Sequence, residues 1–362
     1  MTFAIILVAI IAVVLRWAIL LKIQRKINYS PADESVYAAT SRYLSQHGLR
    51  SIRRVAGEWL STPSLHQWPP PVRVLWLVWG AVYATLSTRV HRGLAVGATL
   101  AGSVLVVVAT AMAWRLYGPV AALGTAALVG SSPLLLGLGR RALIDVPAAC
   151  AETIVLTVVC LGVRWWPALV VALVLMLLLK ESTRTFLAPM AGWTWWLWGD
   201  LVAVGVVFGA AWVLYELALW GVTGARIWTF RRAARDAIGT RGPQESYGSQ
   251  YCRGGLHRLI VDLVLVSPLV VLATVHGRLE LVGLALSLLL PYASPRLSQQ
   301  LRTVAVVDVV LRMAAASVLP WWLLPVWVAA DLWLWYRVWV RGQLYDPTTM
   351  NLTVLLEMGP RK

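Results

Sequence analysis

The apolar positions of the chain fall in long blocks. Residues 3–21 form one apolar run broken only by Arg16. Further blocks lie at about 72–88, 93–114, 119–138, 146–163, 165–179, 186–198, 200–220, 259–275, 279–292, 303–319 and 321–340. Several approach the ~20 residues that a helix needs to cross a ~30 Å hydrocarbon core. In lipid, backbone amides must be paired within the segment, which selects helices. The pattern predicts an all-α, polytopic integral membrane protein with about 10–11 transmembrane helices. No basic residues precede the first run and no small-residue cleavage site follows it, so it reads as a retained anchor and first span.

The polar stretches carry their own pattern. The first long loop, 22–71, opens with Lys22, Arg25 and Lys26. Pro31 followed by Asp33 and Glu34 is a helix-start signal. Val36, Tyr37, Tyr43 and Leu44 then give an amphipathic stripe, and Gly48 ends it. A second basic helix, about 50–60, carries Arg53, Arg54 and Trp59. Both read as helices lying on the membrane surface. Pro69, Pro70 and Pro71 stiffen the return to the bilayer. The second long loop, 224–258, contains Tyr247 and Tyr251 among several Arg residues. No repeat of fixed period divides the chain, so 1–345 reads as one helical membrane domain and 346–362 as a short polar tail.

Composition agrees with a lipid environment. The chain is 59% hydrophobic and 13% charged, with mean hydropathy +0.71, against about 25% charged in soluble domains. Its 21 Trp include clusters at segment ends, such as Trp193, Trp195, Trp196 and Trp198, as in an interfacial belt. The net charge is +16, and all but four of the 32 basic residues are Arg. Loop Arg residues set topology and meet anionic membrane lipids. The sharper alternative is a phosphate-bearing lipid, which Arg grips bidentately. No basic soluble module is present, which excludes nucleic acid as a partner. Cys150, Cys160 and Cys252 form no framework, and no His/Cys metal spacing occurs. The Ala, Val, Leu, Arg and Trp usage suggests a GC-rich prokaryote, hence its plasma (inner) membrane.

Charge inside such a chain is costly, about 2.5–3.5 kcal/mol per group on insertion scales, so its positions are informative. Asp33 and Glu34 lie about 100° apart on a helix. One can face a cavity while the other caps the helix, and both also suit the helix dipole. Asp145 sits in GRRALIDVPAA, where Arg141 and Asp145 would form an i, i+4 pair if the stretch is helical. That pair is either a membrane-edge salt bridge or a second acid with Arg140 or Arg141 turned to a phosphate. Lys180 is the only Lys between Lys26 and Lys362. It is either a snorkelling anchor or a phosphate contact. Arg302 belongs to a positive loop or grips a lipid phosphate. If Asp33 and Asp145 face one aqueous side, one of the three apolar blocks between them is re-entrant, and 72–88 is the candidate.

Taken in order, these pieces resemble the GT-C glycosyltransferases, in the branch of protein O-mannosyltransferases and lipid A aminoarabinose transferases. The matching elements are PADESVYAATSRYLSQHG, HQWPPPVRVLWL, the turn Arg115-Leu116-Tyr117-Gly118, SSPLLLGLGRRALIDVPAA and LLLKESTRTFLAPM. The likeness covers residues 1–190 and is looser beyond. LRTVAVV around Arg302 lacks the family's Tyr and Pro, and Trp68 precedes the prolines where aminoarabinose transferases carry Lys.

The resemblance implies transfer of a hexosyl or pentosyl group from a polyprenyl-phosphate donor to an extracytoplasmic acceptor of unknown kind, with inversion. It implies Asp33 as the base, Glu34 as its substitute, and Asp145 orienting the acceptor. Arg140, Arg141, Lys180 and Arg302 would hold the donor phosphate. Tyr37, Tyr247 and Tyr251 would contribute to the acceptor side, with 224–258 closing over the site. Asp33, Glu34 and Asp145 could supply some oxygen ligands to Mg or Mn, but the branch implies no metal, and no cofactor is expected. Two other readings remain: a transporter or flippase for a lipid-linked or anionic substrate, and an inactive partner subunit with the same fold.

Overall fold

The computed structural model describes residues 1–23, 33–67, 69–240, 259–260, 263–264, 278–293 and 305–337. Among these residues there is no strand, as the block pattern predicts. α1 (Thr2–Ile23) is followed by two short polar helices, α2 (Asp33–His47) and α3 (Ile52–Ser61). Gly48, at φ 78°, lies in the region open to glycine and separates them.

α4 (Val74–Leu86) has 13 residues, about 20 Å of helix, which is shorter than the hydrocarbon core. α5 (Val90–Ser131) runs for 42 residues and is broken at Gly118 (φ 84°, ψ −174°), immediately before Pro119. The Arg-Leu-Tyr-Gly turn is therefore a kink inside one long element. It needs glycine because a side chain is strained at that φ, and Pro119 removes the amide that would continue the ladder.

The block expected at 119–138 is divided. Pro133 cannot continue the ladder, and the Ser132 side chain accepts from Leu135 N, starting α6 (Pro133–Gly139) afresh. The chain then forms α7 (Asp145–Cys160), α8 (Trp166–Leu179), α9 (Leu187–Trp198), α10 (Leu201–Thr223) and α11 (Ile227–Thr240). α12 (Leu279–Leu289), α13 (Ala305–Ala316) and α14 (Leu324–Trp335) follow. Among the described residues, three helices, at Thr2–Lys22, Val90–Ser131 and Leu201–Thr223, are long and apolar enough to cross a membrane. Shorter apolar helices accompany them.

α5 is the centre of the bundle, packed against α1, α4, α7 and α13. Its buried face is rich in Gly, Ala, Ser and Thr, which lets helix backbones approach closely where lipid supplies no hydrophobic drive. Gly130 lies directly against α1: a Cβ there would lie 2.5 Å from that of Ala12. One turn along α1 from this contact, Arg16 donates from Nη2 to Val129 O at 2.8 Å. The cation that interrupts the first apolar run is thus a buried clasp on α5, only 4% exposed.

α2 packs along α4, with Ser41 Oγ donating to Leu77 O. Its buried stripe is Glu34, Tyr37, Ala38, Ser41 and Leu44. Val36 and Tyr43, expected in that stripe, are half-buried and flank it.

Candidate active site

Helix ends bring the charged residues together. Asp33 and Glu34 open α2, and Asp145 opens α7, where acids favour the helix dipole. Arg73 precedes α4, and Lys180 follows α8 in an extended conformation with Glu181 next to it. These termini meet through three ion pairs, two of them buried and the third part-buried. Arg141 Nε donates to Glu34 Oε1 at 2.7 Å. Lys180 Nζ donates to Asp145 Oδ1 at 2.7 Å. Arg73 forks onto Glu181, with Nε–Oε2 at 3.0 Å and Nη2–Oε1 at 3.1 Å.

The Arg73–Glu181 and Asp145–Lys180 pairs are electrostatically coupled. Arg73 feels Asp33 and Asp145 as well as Glu181, and Glu152 of α7 lies in the field of Lys180 and Asp145. The i, i+4 register that would pair Arg141 with Asp145 does not form, because 140–144 is turn and bend rather than helix. Arg141 instead reaches across to α2, and Asp145 to the end of α8.

Asp33 is half-buried, whereas Glu34 is 1% exposed. Of the two adjacent acids, Glu34 is locked to Arg141, and Asp33 stands at the edge of the cluster toward Arg73. Arg140 ends α6 and is buried. Tyr37 is buried one helical turn from Asp33, with the Arg73 guanidinium 5.5 Å from its ring centroid, close enough for a cation–π contact. Tyr247, Tyr251 and Arg302 lie outside the described residues.

Burial disfavours the charge on Arg73, yet Glu181 overrides it and holds the guanidinium above the usual arginine range. Burial likewise pushes the Glu181 carboxyl up, and Arg73 outweighs this, leaving it below its ordinary value of 4.5. A carboxylate with a lowered folded pKa contributes stability above its ordinary value, lost as pH falls through the folded one. The thermal midpoint in detergent is therefore expected to fall on acidification below about pH 4.5. In Glu181→Gln that part of the slope should disappear.

A second buried network lies deeper in the bundle. Arg312 Nε donates to both oxygens of Asp308, at 2.9 and 3.0 Å. Its Nη1 donates to Asp331 Oδ2 at 2.6 Å and to Leu128 O at 2.8 Å. Ser131 Oγ donates to Asp331 and Ser132 Oγ to Asp308, at 2.8 and 2.7 Å. The Ser-Ser-Pro motif thus ties α13 and α14 to the junction of α5 and α6.

Several of these residues escaped sequence reasoning. Arg73 stood beside the features singled out, Glu181 was conspicuous next to Lys180 but carried no role, and Glu152 sat unremarked in an apolar block. Asp308 and Arg312 carry a legible signal, an i, i+4 acid–base pair inside an apolar run. Among the described residues, no group of three or more His, Cys, Asp or Glu could hold a metal ion.

No family model matches the chain, and no curated protein matches its sequence. Two solved structures do match in fold. One is ArnT from Cupriavidus metallidurans bound to undecaprenyl phosphate, with TM-score 0.53 and 15% identity. The other is the same protein in the apo state, with TM-score 0.53 and 16% identity. The matches cover 86% and 85% of this chain and 59% of ArnT, so the chain spans about three fifths of ArnT's length. The chain has an all-α polytopic membrane fold similar to that of ArnT.

Proposed function

We propose that the chain is a membrane glycosyltransferase that moves a sugar from a polyprenyl-phosphate donor to an extracytoplasmic acceptor. The observation that carries this reading is the buried cluster itself, in which Asp33, Glu34–Arg141, Asp145–Lys180 and Arg73–Glu181 converge from distant parts of the chain. Ionisable groups buried within a membrane bundle have functional sites as their default explanation, and the structural neighbour was solved with undecaprenyl phosphate bound.

The residues suit the chemistry. The acceptor hydroxyl oxygen attacks the anomeric carbon, the bond from that carbon to the phosphate oxygen breaks, and polyprenyl phosphate leaves with the bonding electrons. Asp33 takes the hydroxyl proton, a role that needs a carboxylate within hydrogen-bond reach. Attack opposite the leaving group inverts the anomeric centre. Lys180 has three N–H donors and Arg141 five, so each can keep its carboxylate and also meet a phosphate. Their fixed charge would stabilise the leaving group as its negative charge grows. Asp145 holds Lys180 in position, and Arg140 is a further buried cation at the end of α6.

Binding provides the test. Purified protein in nanodiscs is expected to bind undecaprenyl phosphate at least tenfold more tightly than uncharged undecaprenol. Lys180→Gln should erase most of that preference and Lys180→Arg should restore part of it. Equal binding of the two lipids would refute the phosphate site.

A further inference from the structure

α10 marks where the bilayer ends. Val206, Val213, Leu214 and Leu217 are exposed along it, as on a membrane span that meets lipid tails rather than water. The apolar wall ends at Trp220, 55% exposed, and Gly224 closes the helix at φ 77°. Tryptophan at such an end sits at headgroup level, so whatever packs on this turn lies at the bilayer interface.

α3 is fixed at that level. Arg53 Nη2 donates to Gly221 O at 3.1 Å, and its stem lies so close to Gly224 that a Cβ there would come within 3.3 Å of it. The cation satisfies the carbonyl end of α10 and suits its dipole. On the other side of the joint, Trp228 in the first turn of α11 is 58% exposed, with the Arg231 guanidinium 4.6 Å from its ring centroid.

Charge around this joint is one-sided. Residues 47–61 and 221–234 contain six Arg and one acid, Glu58. Arg53 and Arg231 are engaged as described. Arg50, Arg54 and Arg226 are exposed, and none of them forms an ion pair with a described residue. Membrane topology does not account for the excess. The joint lies at the same end of the bundle as the ion-pair cluster, since Arg184 and Arg231 both feel Glu181. On the transferase reading that end faces away from the cytoplasm, where the positive-inside rule calls for no cations.

We infer that the joint of α3, α10 and α11 binds the headgroup of an anionic phospholipid of the surrounding leaflet. Arginine grips phosphate oxygens through paired N–H donors, and Arg54 and Arg226 flank the turn from opposite sides. The exposed rings of Trp220 and Trp228 lie against the glycerol region, the depth that suits an amphipathic indole. A zwitterionic headgroup brings an ammonium that these arginines repel. The ligand is a bulk membrane lipid, so the inference stands apart from the transferase reading, and Lys180 and Arg141 take no part in it.

The test is native mass spectrometry of the full chain in detergent, titrated with phosphatidylglycerol and with phosphatidylcholine of the same acyl chains. The wild type is expected to bind phosphatidylglycerol roughly thirtyfold more tightly, the size that two arginines at a membrane surface supply. Arg54→Gln/Arg226→Gln should bring the two lipids nearly level, with the thermal midpoint unchanged because both side chains are exposed. Lys180→Gln should keep the preference. So should Arg115→Gln/Arg164→Gln, which removes the same charge from exposed positions at the opposite ends of α7 and α8 from the ion pairs. Equal affinity of the wild type for the two lipids overturns the inference. Loss of the preference in Arg115→Gln/Arg164→Gln also overturns it, by showing diffuse attraction, and loss in Lys180→Gln overturns it by placing the lipid at the donor phosphate site. Binding of soluble polyglutamate that depends on Arg54 and Arg226, with no preference between the lipids, overturns it in favour of an acidic protein partner.

Discussion

Asp33→Asn is expected to lower the transfer rate by about 10²–10⁴-fold, the usual contribution of a positioned general base, with little change in thermal midpoint. The two halves of that expectation come from one geometric fact. Asp33 is half-buried at the start of α2, so its removal leaves no large cavity, and Arg73 keeps its two-bond fork to Glu181. Glu34 is the contrasting neighbour. It is 1% exposed and 2.7 Å from Arg141, so Glu34→Gln should cost stability as well as rate. The comparison is made by measuring donor turnover and thermal unfolding of both variants in the same lipid. Equal loss of fold in the two would mean that Asp33 is structural.

Arg312→Ala is expected to destabilise the folded protein by about 3–5 kcal/mol, the range for removing one member of a buried ionic network. Its guanidinium is fully buried, and its loss takes the cationic partner from both Asp308 and Asp331 and a donor from Leu128 O. The two acids would then repel one another where no water can solvate them. The expected readout is loss of monodisperse protein in detergent, or a large drop in thermal midpoint. Replacing all three ions by apolar residues of similar volume should recover much of the loss, since buried ion triads are often no better than well-packed hydrophobes. If Arg312→Ala left the midpoint unchanged, the network would not be holding α13 and α14 to α5.

The helical blocks were legible because lipid imposes a simple rule: long apolar runs must be helices. The start of α2 was equally plain, since Asp33 and Glu34 signal it locally and Gly48 closes it. Asp33, Glu34 and Asp145, and the cation candidates Arg141 and Lys180, stood out because charge is rare in such a chain. Their partners did not, because pairing across the bundle is a long-range property. Arg141 looked like a neighbour of Asp145 in sequence, yet the loss of helix at 140–144 sends it to Glu34. The division of the 119–138 block was hidden for a different reason. Hydropathy is blind to a serine cap and a proline at Ser132 and Pro133, although both residues were in plain view. Arg73 was missed because a cation beside a proline run reads as an ordinary boundary residue until Glu181 is seen opposite.

The transferase account is tested most directly by donor turnover. The purified chain in lipid is given a panel of polyprenyl-phosphate sugars, and cleavage of the sugar–phosphate bond is measured beside the Asp33→Asn variant. The account predicts release of polyprenyl phosphate from at least one donor by the wild type, and loss of that release in the variant. A donor that binds and crosses the bilayer with its sugar–phosphate bond intact would contradict it, and would make the chain a carrier of the lipid-linked sugar.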